Sequence, residues 1–307
     1  MINGIINVYK EKGFTSHDAV AKLRGILKQK KIGHTGTLDP DAEGVLPVCL
    51  GNATKLCDLL TDKDKTYEAV LLLGVVTDTQ DITGTVLENG EVTAGREETE
   101  DVILSFIGEY DQLPPMYSAI KVNGKRLYEL ARAGKEIERQ PRKVRIHNIR
   151  ILEFNEEKHE IKMSVDCSKG TYIRTLCHDI GAALNCGGCM KSLLRTKAGA
   201  FSMENSLKLS EIADIFKQDK LQDYLIHTDD MFPDYPKITV AEEFTKYIYN
   251  GNRFHINQIK TAAEIKDNRS ICEITGQVRV YDWQNQFIGI YEAVPKEQIF
   301  KPVKMFL

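Results

Sequence analysis

The sequence predicts an α+β protein built on a largely antiparallel central sheet, followed by a small β-rich second domain. Three observations lead there. Strand-like segments rich in β-branched residues alternate with helical ones but lack the regular cadence of a doubly wound sheet. The segment MFPDYPK, with two prolines, reads as a linker near residue 236. Beyond it the chain returns to short strands separated by polar turns.

The elements follow in order. IINVYK is a strand, and Ser16 to Leu27 carries apolar residues at helical spacing behind a Ser16 cap. YEAVLLLGVVT, KVRIHNIRILEF and HEIKMSVDCS alternate as strands, with helical patterns over Glu98–Phe106 and Arg174–Leu184. After the linker, ITVAEEFTKYIYNGNRF predicts a strand, a helix and a Gly turn. ICEITGQVRVYDWQNQFIGIYEAV predicts hairpin strands. No internal repeat or low-complexity tract is present.

Composition excludes several classes. With 42% hydrophobic and 28% charged residues the chain is not wholly disordered. No apolar run is long enough to cross a bilayer, and MINGIINVYKEKG lacks the basic and apolar regions of a secretory signal, so a cytoplasmic protein is expected. The net charge of −3 conceals strong patterning: Lys121–Arg145 holds nine Lys/Arg and three Glu, whereas Glu88–Asp101 holds six acids and one Arg. A second basic cluster, Lys28 to Lys31, precedes GHTGTLDP. Two basic segments in an otherwise acidic chain suggest a polyanion footprint confined to one side, although any single cluster is ordinarily a solvated face.

Seven cysteines in a long chain without an export signal suggest reduced thiols. Cys186 and Cys189 form CGGC, but a structural zinc needs a second ligand pair and a redox CxxC opens a helix rather than following one. A Gly-containing turn of small residues accounts better for it, and no metal is expected.

GHTGTLDPDAEGVLPVCLG, residues 33–51, is the most unusual stretch. Gly33 and Gly36 bracket His34, and Pro40 disfavours helix at Asp39. A carboxylate so placed can be a nucleophile, a general base, a metal ligand or a turn cap. Asp39, Asp41, Glu43 and Gly44 mimic the front of a calcium loop, yet the closing position is Leu50 instead of Glu, so calcium is rejected.

GHTGTLDPDAEGVLPVCLGNATK closely resembles the catalytic motif of the TruB family of tRNA pseudouridine-55 synthases. INVYKEKGFTSHDAV resembles that family's N-terminal motif, DKTYEAVLLLGVVTDTQDITG its tyrosine motif, and PPMYSAIKVNGKRLYELARAG the start of its RNA-gripping insertion. CSKGTYIRTLCHDIG and LLRTKAG resemble the later arginine and leucine motifs, so the ordered set spans Gly4 to Gly199. Glu11 departs from the pattern, since many relatives carry proline there. The C-terminal portion resembles a small RNA-binding PUA domain more loosely.

The resemblance implies a catalytic pseudouridine synthase domain over residues 1–232, with the basic insertion near 114–145, and a PUA-like domain over 236–307. It implies isomerisation of a T-loop uridine of tRNA after base flipping, with no cofactor, because no redox change occurs and no group is lost. Asp39 matches the catalytic nucleophile, attacking base or sugar, and Arg174 the arginine that pairs with it. Tyr67 matches the aromatic against the extruded base and Lys10 a lysine near the pocket. His34 matches the histidine that fills the space left in the T-loop; Tyr172 and Leu194 match pocket walls. Lys125, Arg126, Arg142 and Lys143 are expected to contact phosphates. A stand-alone monomer without guide RNA is expected, since the long basic insertion is present and extended flanking tails are not. Assistance with tRNA folding is compatible with catalysis. A non-catalytic RNA-binding factor on the same scaffold is the alternative from another class. Taken singly, each residue has an ordinary structural explanation; the ordered motifs carry the reading.

Overall fold

The computed structural model describes residues 1–122, 124–261 and 274–307. Its first sheet is assembled from β1 (Gly4–Lys10), β2 (Ile32–His34), β3 (Glu43–Leu50), β4 (Lys65–Leu73), β7 (Gly108–Gln112), β10 (Arg142–Asn155), β11 (Glu160–Cys167), β12 (Gly188–Ala198) and β13 (Phe201–Ser202). Two small hairpins stand apart, β5 (Val75–Thr77) with β6 (Val86–Asn89) and β8 (Lys121–Val122) with β9 (Lys125–Arg126). The helices are α1 (Ser16–Leu27), α2 (Cys57–Thr61), α3 (Arg96–Ser105), α4 (Leu127–Arg132), α5 (Ile173–Ala183) and α6 (Leu209–Lys217).

The sheet runs β1-β3-β12-β4-β11-β10-β7, with β2 beside β3 and β13 beside β12. Every pairing is antiparallel except β3 with β12, where Leu194 faces Glu43 and Arg195 faces Gly44. The α+β class with a largely antiparallel sheet is therefore as the sequence predicts. The parallel pair brings the segment after Asp39 against β12, next to β4. On β4, Lys65, Tyr67, Ala69, Leu71 and Leu73 are buried and the residues between them are half-buried, the alternation that the pleat imposes. Ile173, Leu176, Cys177 and Ile180 of α5 pack into the same core as Tyr67, Leu71, Met163 and Val165. Toward the other end of the sheet, Val20 and Leu23 of α1 and Ile212 of α6 cover Ile6, Val8, Leu46 and Val48. Each such aliphatic burial contributes about 1.5–3 kcal/mol before the entropy of ordering is subtracted.

One local expectation changes. The cap of α1 is Thr15, whose side chain accepts from the Asp18 N–H while the Asp18 carboxylate accepts from Thr15. Ser16 is buried in the first turn, its hydroxyl turned toward Leu38 instead. The CGGC segment is a close crossing: a Cβ on Gly181 of α5 would lie 2.2 Å from the Gly188 nitrogen. Cys186 and Cys189 are buried there, and burial pushes the Cys189 thiol up to about 11.

A second sheet is formed by β14 (Lys237–Val240), β15 (Phe254–His255), β16 (Ile259–Thr261), β17 (Gly276–Tyr281), β18 (Phe287–Val294) and β19 (Ile299–Met305), with α7 (Thr245–Tyr249) after β14. Its order is β15-β19-β18-β17-β14-β16. The expected start of the last hairpin, Ile271 to Glu273 including Cys272, lies outside the described residues. The proline-rich segment between the sheets is pinned rather than loose. Phe232 and Tyr235 stack at 5.4 Å, and Phe232 joins Ile5, Val45, Phe201, Ile290 and Phe306 in one apolar cluster. Among the described residues no helix is long and apolar enough to cross a membrane.

Candidate active site

The loop carrying Asp39 joins β2 to β3 and is fastened on all sides. Ser16 Oγ accepts from the Leu38 N–H at 2.8 Å and donates to the Leu38 carbonyl at 3.3 Å. Thr35 donates through both its N–H and its hydroxyl to the Pro47 carbonyl. Gly13 N–H donates to the Pro40 carbonyl at 3.0 Å. Lys10, at the end of β1 and 1% exposed, spends its ammonium on three carbonyls, those of Glu11, Phe14 and Pro40. Burial lowers its pKa to about 8, opposed by the charges of Glu43, Asp39 and Asp41. Lys10 therefore positions the Asp39–Pro40 turn. Gly44, where the loop enters β3, has φ +105° and lies so near β12 that a Cβ would sit 2.2 Å from the Arg195 carbonyl.

Arg174 is the hub. It stands at the start of α5 with its side chain 6% exposed, and it meets Asp39 through two contacts, Nε to Oδ2 at 2.9 Å and Nη2 to Oδ1 at 3.3 Å. Nη1 donates to the Thr79 carbonyl at 3.1 Å and Nη2 to the Tyr117 carbonyl at 2.9 Å. Asp81 Oδ2 approaches Nη1 at 3.8 Å, and Asp81 Oδ1 is itself held by Thr79, Thr83 and the Thr83 N–H. The fork geometry of a guanidinium suits this set of acceptors; an ammonium could not reach them all. Asp39 keeps 38% of its side chain exposed, so one face of the carboxylate stays open to a substrate. Loss of hydration pushes its pKa above the usual 3.8, Arg174 opposes the rise, and Asp81 adds to it.

Tyr67 lies buried on β4, directly across from Arg195 on β12. Arg195 is 1% exposed, donates Nε to the Val45 carbonyl at 2.7 Å and Nη2 to the Gly36 carbonyl at 3.4 Å. Burial raises the Tyr67 phenol, and the neighbouring Arg195 guanidinium opposes it. Leu194 lies on the neighbouring strand β12. It pairs with Glu68, and the register places it on the half-exposed face of the sheet, away from Tyr67. Leu193 pairs with Ala69 and shares Tyr67's buried core, because side chains alternate with a period of two.

His34 ends β2 with Nδ1 buried and unpaired; burial lowers its pKa, favouring the neutral ring. Tyr172 precedes α5, its phenol raised by burial and stabilised in its charged form by Ser118, Arg142 and Arg174. The basic residues form the periphery. Arg142 and Lys143 are exposed where β10 begins, and Lys125 and Arg126 are exposed on the β8–β9 hairpin. Arg126 leans on Tyr128, donating to its hydroxyl at 2.7 Å, and Lys143 stands 3.9 Å from Asp111. The structure thus gathers Asp39, Arg174, Tyr67, Lys10 and Tyr172 in one place, with Arg142 at its edge.

Sequence reasoning did not single out Asp81 or Arg195, though each stands inside a quoted motif. It also passed over Gln112, buried at the end of β7, whose amide accepts from the Tyr172 N–H at 2.8 Å and donates to the Tyr172 carbonyl at 3.0 Å. Nothing in an isolated glutamine signals that pairing.

Residues 24–173 match the TruB family pseudouridylate synthase (N terminal domain), and residues 174–231 match the tRNA pseudouridylate synthase B C-terminal domain. The chain is 59% identical over 312 residues to tRNA pseudouridine synthase B of Lachnoclostridium phytofermentans, covering 100% of both. It is 47% identical to that of Alkaliphilus oremlandii, covering 88% of this chain and 89% of the relative. Among solved structures it resembles one from a Cbf5-Nop10-Gar1 complex, with TM-score 0.69, 26% identity, and coverage of 99% of this chain and 85% of the other.

Proposed function

This chain belongs to the TruB family of pseudouridylate synthases, and we propose that it isomerises the T-loop uridine at tRNA position 55 to pseudouridine. It does so as a stand-alone monomer, without guide RNA or cofactor. The observation that carries the reading is the two-contact pair between Asp39 and the buried Arg174, one face of the carboxylate left open. A carboxylate fixed by a buried cation with one face open is suited to act as a nucleophile.

The extruded uracil lies against Tyr67, where an aromatic plane supplies affinity without demanding a hydrogen-bond pattern. Asp39 attacks either the base or the sugar, and the C1′–N1 bond breaks. The base turns, C1′ bonds to C5, and the proton lost from C5 is balanced by the one gained at N1. Tyr67 is the candidate to take the C5 proton; burial raises its phenol, and Arg195 beside it opposes that rise. His34 enters the space the flipped nucleotide leaves. Residues 1–232 carry this chemistry. The basic hairpin and the start of β10 grip phosphates, and residues 236–307 add a PUA-like RNA surface.

The test is to incubate a tRNA transcript with the purified protein alone and map modified uridines, beside Asp39→Asn. The expected result is one pseudouridine in the T-loop from the wild-type protein. Asp39→Asn should bind tRNA and yield only background product. Substantial turnover by Asp39→Asn would refute the nucleophile, and no product from wild type would favour a binding factor.

A further inference from the structure

We propose that Gln112 is a positioning residue for the reaction: it sets Arg174 against Asp39 by clamping the backbone of Tyr172, two residues earlier. The proposal rests on the functional reading above and names a further residue that serves it.

Tyr172 occupies the cap position of α5 with extended backbone, and no side chain caps the helix. Such an entry is poorly fixed by local forces, because the first turn has no side-chain acceptor to define where it begins. Gln112 supplies the missing constraint from β7. Its amide oxygen accepts from the Tyr172 N–H and its amide nitrogen donates to the Tyr172 carbonyl, so one side chain imitates a strand partner for that residue. The same carbonyl accepts the first helical bond, from the Leu176 N–H at 3.0 Å. The remaining amide hydrogen is directed at the Tyr110 hydroxyl. Gln112 is 1% exposed, and every polar group of its side chain is used.

The consequence reaches the chemistry in two steps along the chain. Arg174 follows Tyr172 by two residues, and its contacts to both Asp39 oxygens depend on where α5 starts. Gln112 also stands just before the segment Leu113–Ser118, whose Tyr117 carbonyl takes a hydrogen bond from Arg174 Nη2. One amide therefore fixes the helix that presents the guanidinium and roots the segment that receives it. Across the strand pair, Gln112 faces Arg142, a proposed phosphate contact. The root of the RNA-gripping insertion and the catalytic pair thus share one buried side chain.

The experiment compares single-turnover pseudouridine formation, tRNA affinity and the acid limb of the pH–rate profile in wild type, Gln112→Met and Gln112→Glu. Methionine keeps the volume and removes all three hydrogen bonds; glutamate keeps the acceptor for the Tyr172 N–H. A displacement of reacting groups by a fraction of an ångström to 1 Å predicts a rate loss of about 10- to 100-fold for Gln112→Met, with tRNA affinity within about twofold. Its acid limb should move to higher pH, because a mis-set Arg174 protects the Asp39 anion less. Gln112→Glu should be intermediate, and it carries the test if Gln112→Met does not fold. A purely structural glutamine predicts a lower melting temperature with wild-type rate and wild-type acid limb per folded molecule, which overturns the proposal. If wild type itself forms no pseudouridine, the functional reading fails and takes this one with it.

Discussion

Arg174→Met separates the electrostatic role of the arginine from its packing role. In the wild-type protein the guanidinium satisfies both Asp39 oxygens and two backbone carbonyls while almost fully buried. Removing one member of a fully buried pair costs about 3–5 kcal/mol, and a surface pair is worth about 0–1 kcal/mol. Asp39 is 38% exposed while its partner is 6% exposed, which places this pair between the limits. We therefore expect Arg174→Met to cost about 2 kcal/mol of stability. Losing that cation also raises the Asp39 pKa further. The sign follows from the wild-type balance: burial already raises the carboxyl above 3.8, and Arg174 is the largest influence holding it down. With the anion as the proposed nucleophile, the rate is expected to fall as pH falls, and without Arg174 that fall should begin at higher pH. The assay is single-turnover product formation across a mildly acidic to neutral series, with saturating protein so that binding does not enter. Combining Arg174→Met with Asp39→Asn should cost little more than Asp39→Asn alone, because the pair acts as one unit. An Arg174→Met protein that melts earlier but keeps the wild-type rate and acid limb would show that the arginine only braces α5.

Two further outcomes follow from the geometry. Neutralising Lys125, Arg126, Arg142 and Lys143 together should weaken tRNA binding and lower the log–log salt slope by about one unit for each phosphate left without its cation; an unchanged slope in a binding titration would make them solvated charges, and Arg126 and Lys143, already engaged by Tyr128 and Asp111, should contribute least. Gly44→Ala puts a methyl group 2.2 Å from the Arg195 carbonyl at φ +105°, so a loss of about 3 kcal/mol or more is expected by denaturant titration, and a variant within about 0.5 kcal/mol of wild type would show that β3 and β12 can separate at that point.

What the sequence made legible was whatever repeats a local rule. Strand alternation in β4 and the apolar stripe of α5 are written residue by residue, and both lie where the periodicity puts them, although the strand expected over Tyr67–Thr77 breaks at Gly74 into β4 and β5. Ordered motifs likewise placed Asp39, Arg174, Tyr67, Lys10 and Tyr172 in one reading, and the fold brings them together. Relations between distant strands are less visible. Leu193 and Leu194 are chemically identical neighbours, and only the register of β12 against β4 decides which one shares a face with Tyr67. Thr15 and Ser16 are equally good caps by composition; the choice is made by Leu38, whose backbone claims the serine hydroxyl from 22 residues away.

Partners of buried polar groups are the least visible of all. Lys10, Gln112, Arg174 and Arg195 are each almost wholly buried, and each hydrogen-bonds to backbone carbonyls of other segments. A carbonyl is present at every residue, so no side-chain pattern announces which one will be used. Yet these four side chains tie the segments of the site to one another. Lys10 holds the turn after Asp39, Arg195 ties Gly36 and Val45 to the strand facing Tyr67, and Gln112 fixes the residue from which α5 departs. Burying a charged or amide group is unfavourable unless its hydrogen bonds are replaced, and here the replacements lie in the loop that carries Asp39 and in the flanking elements. The same bonds that make burial tolerable therefore also fix where Asp39 stands. A substitution at any of the four is a change in the position of Asp39 or Arg174 as much as a change in stability, which is why rate and acid limb, measured per folded molecule, are the quantities that separate the two.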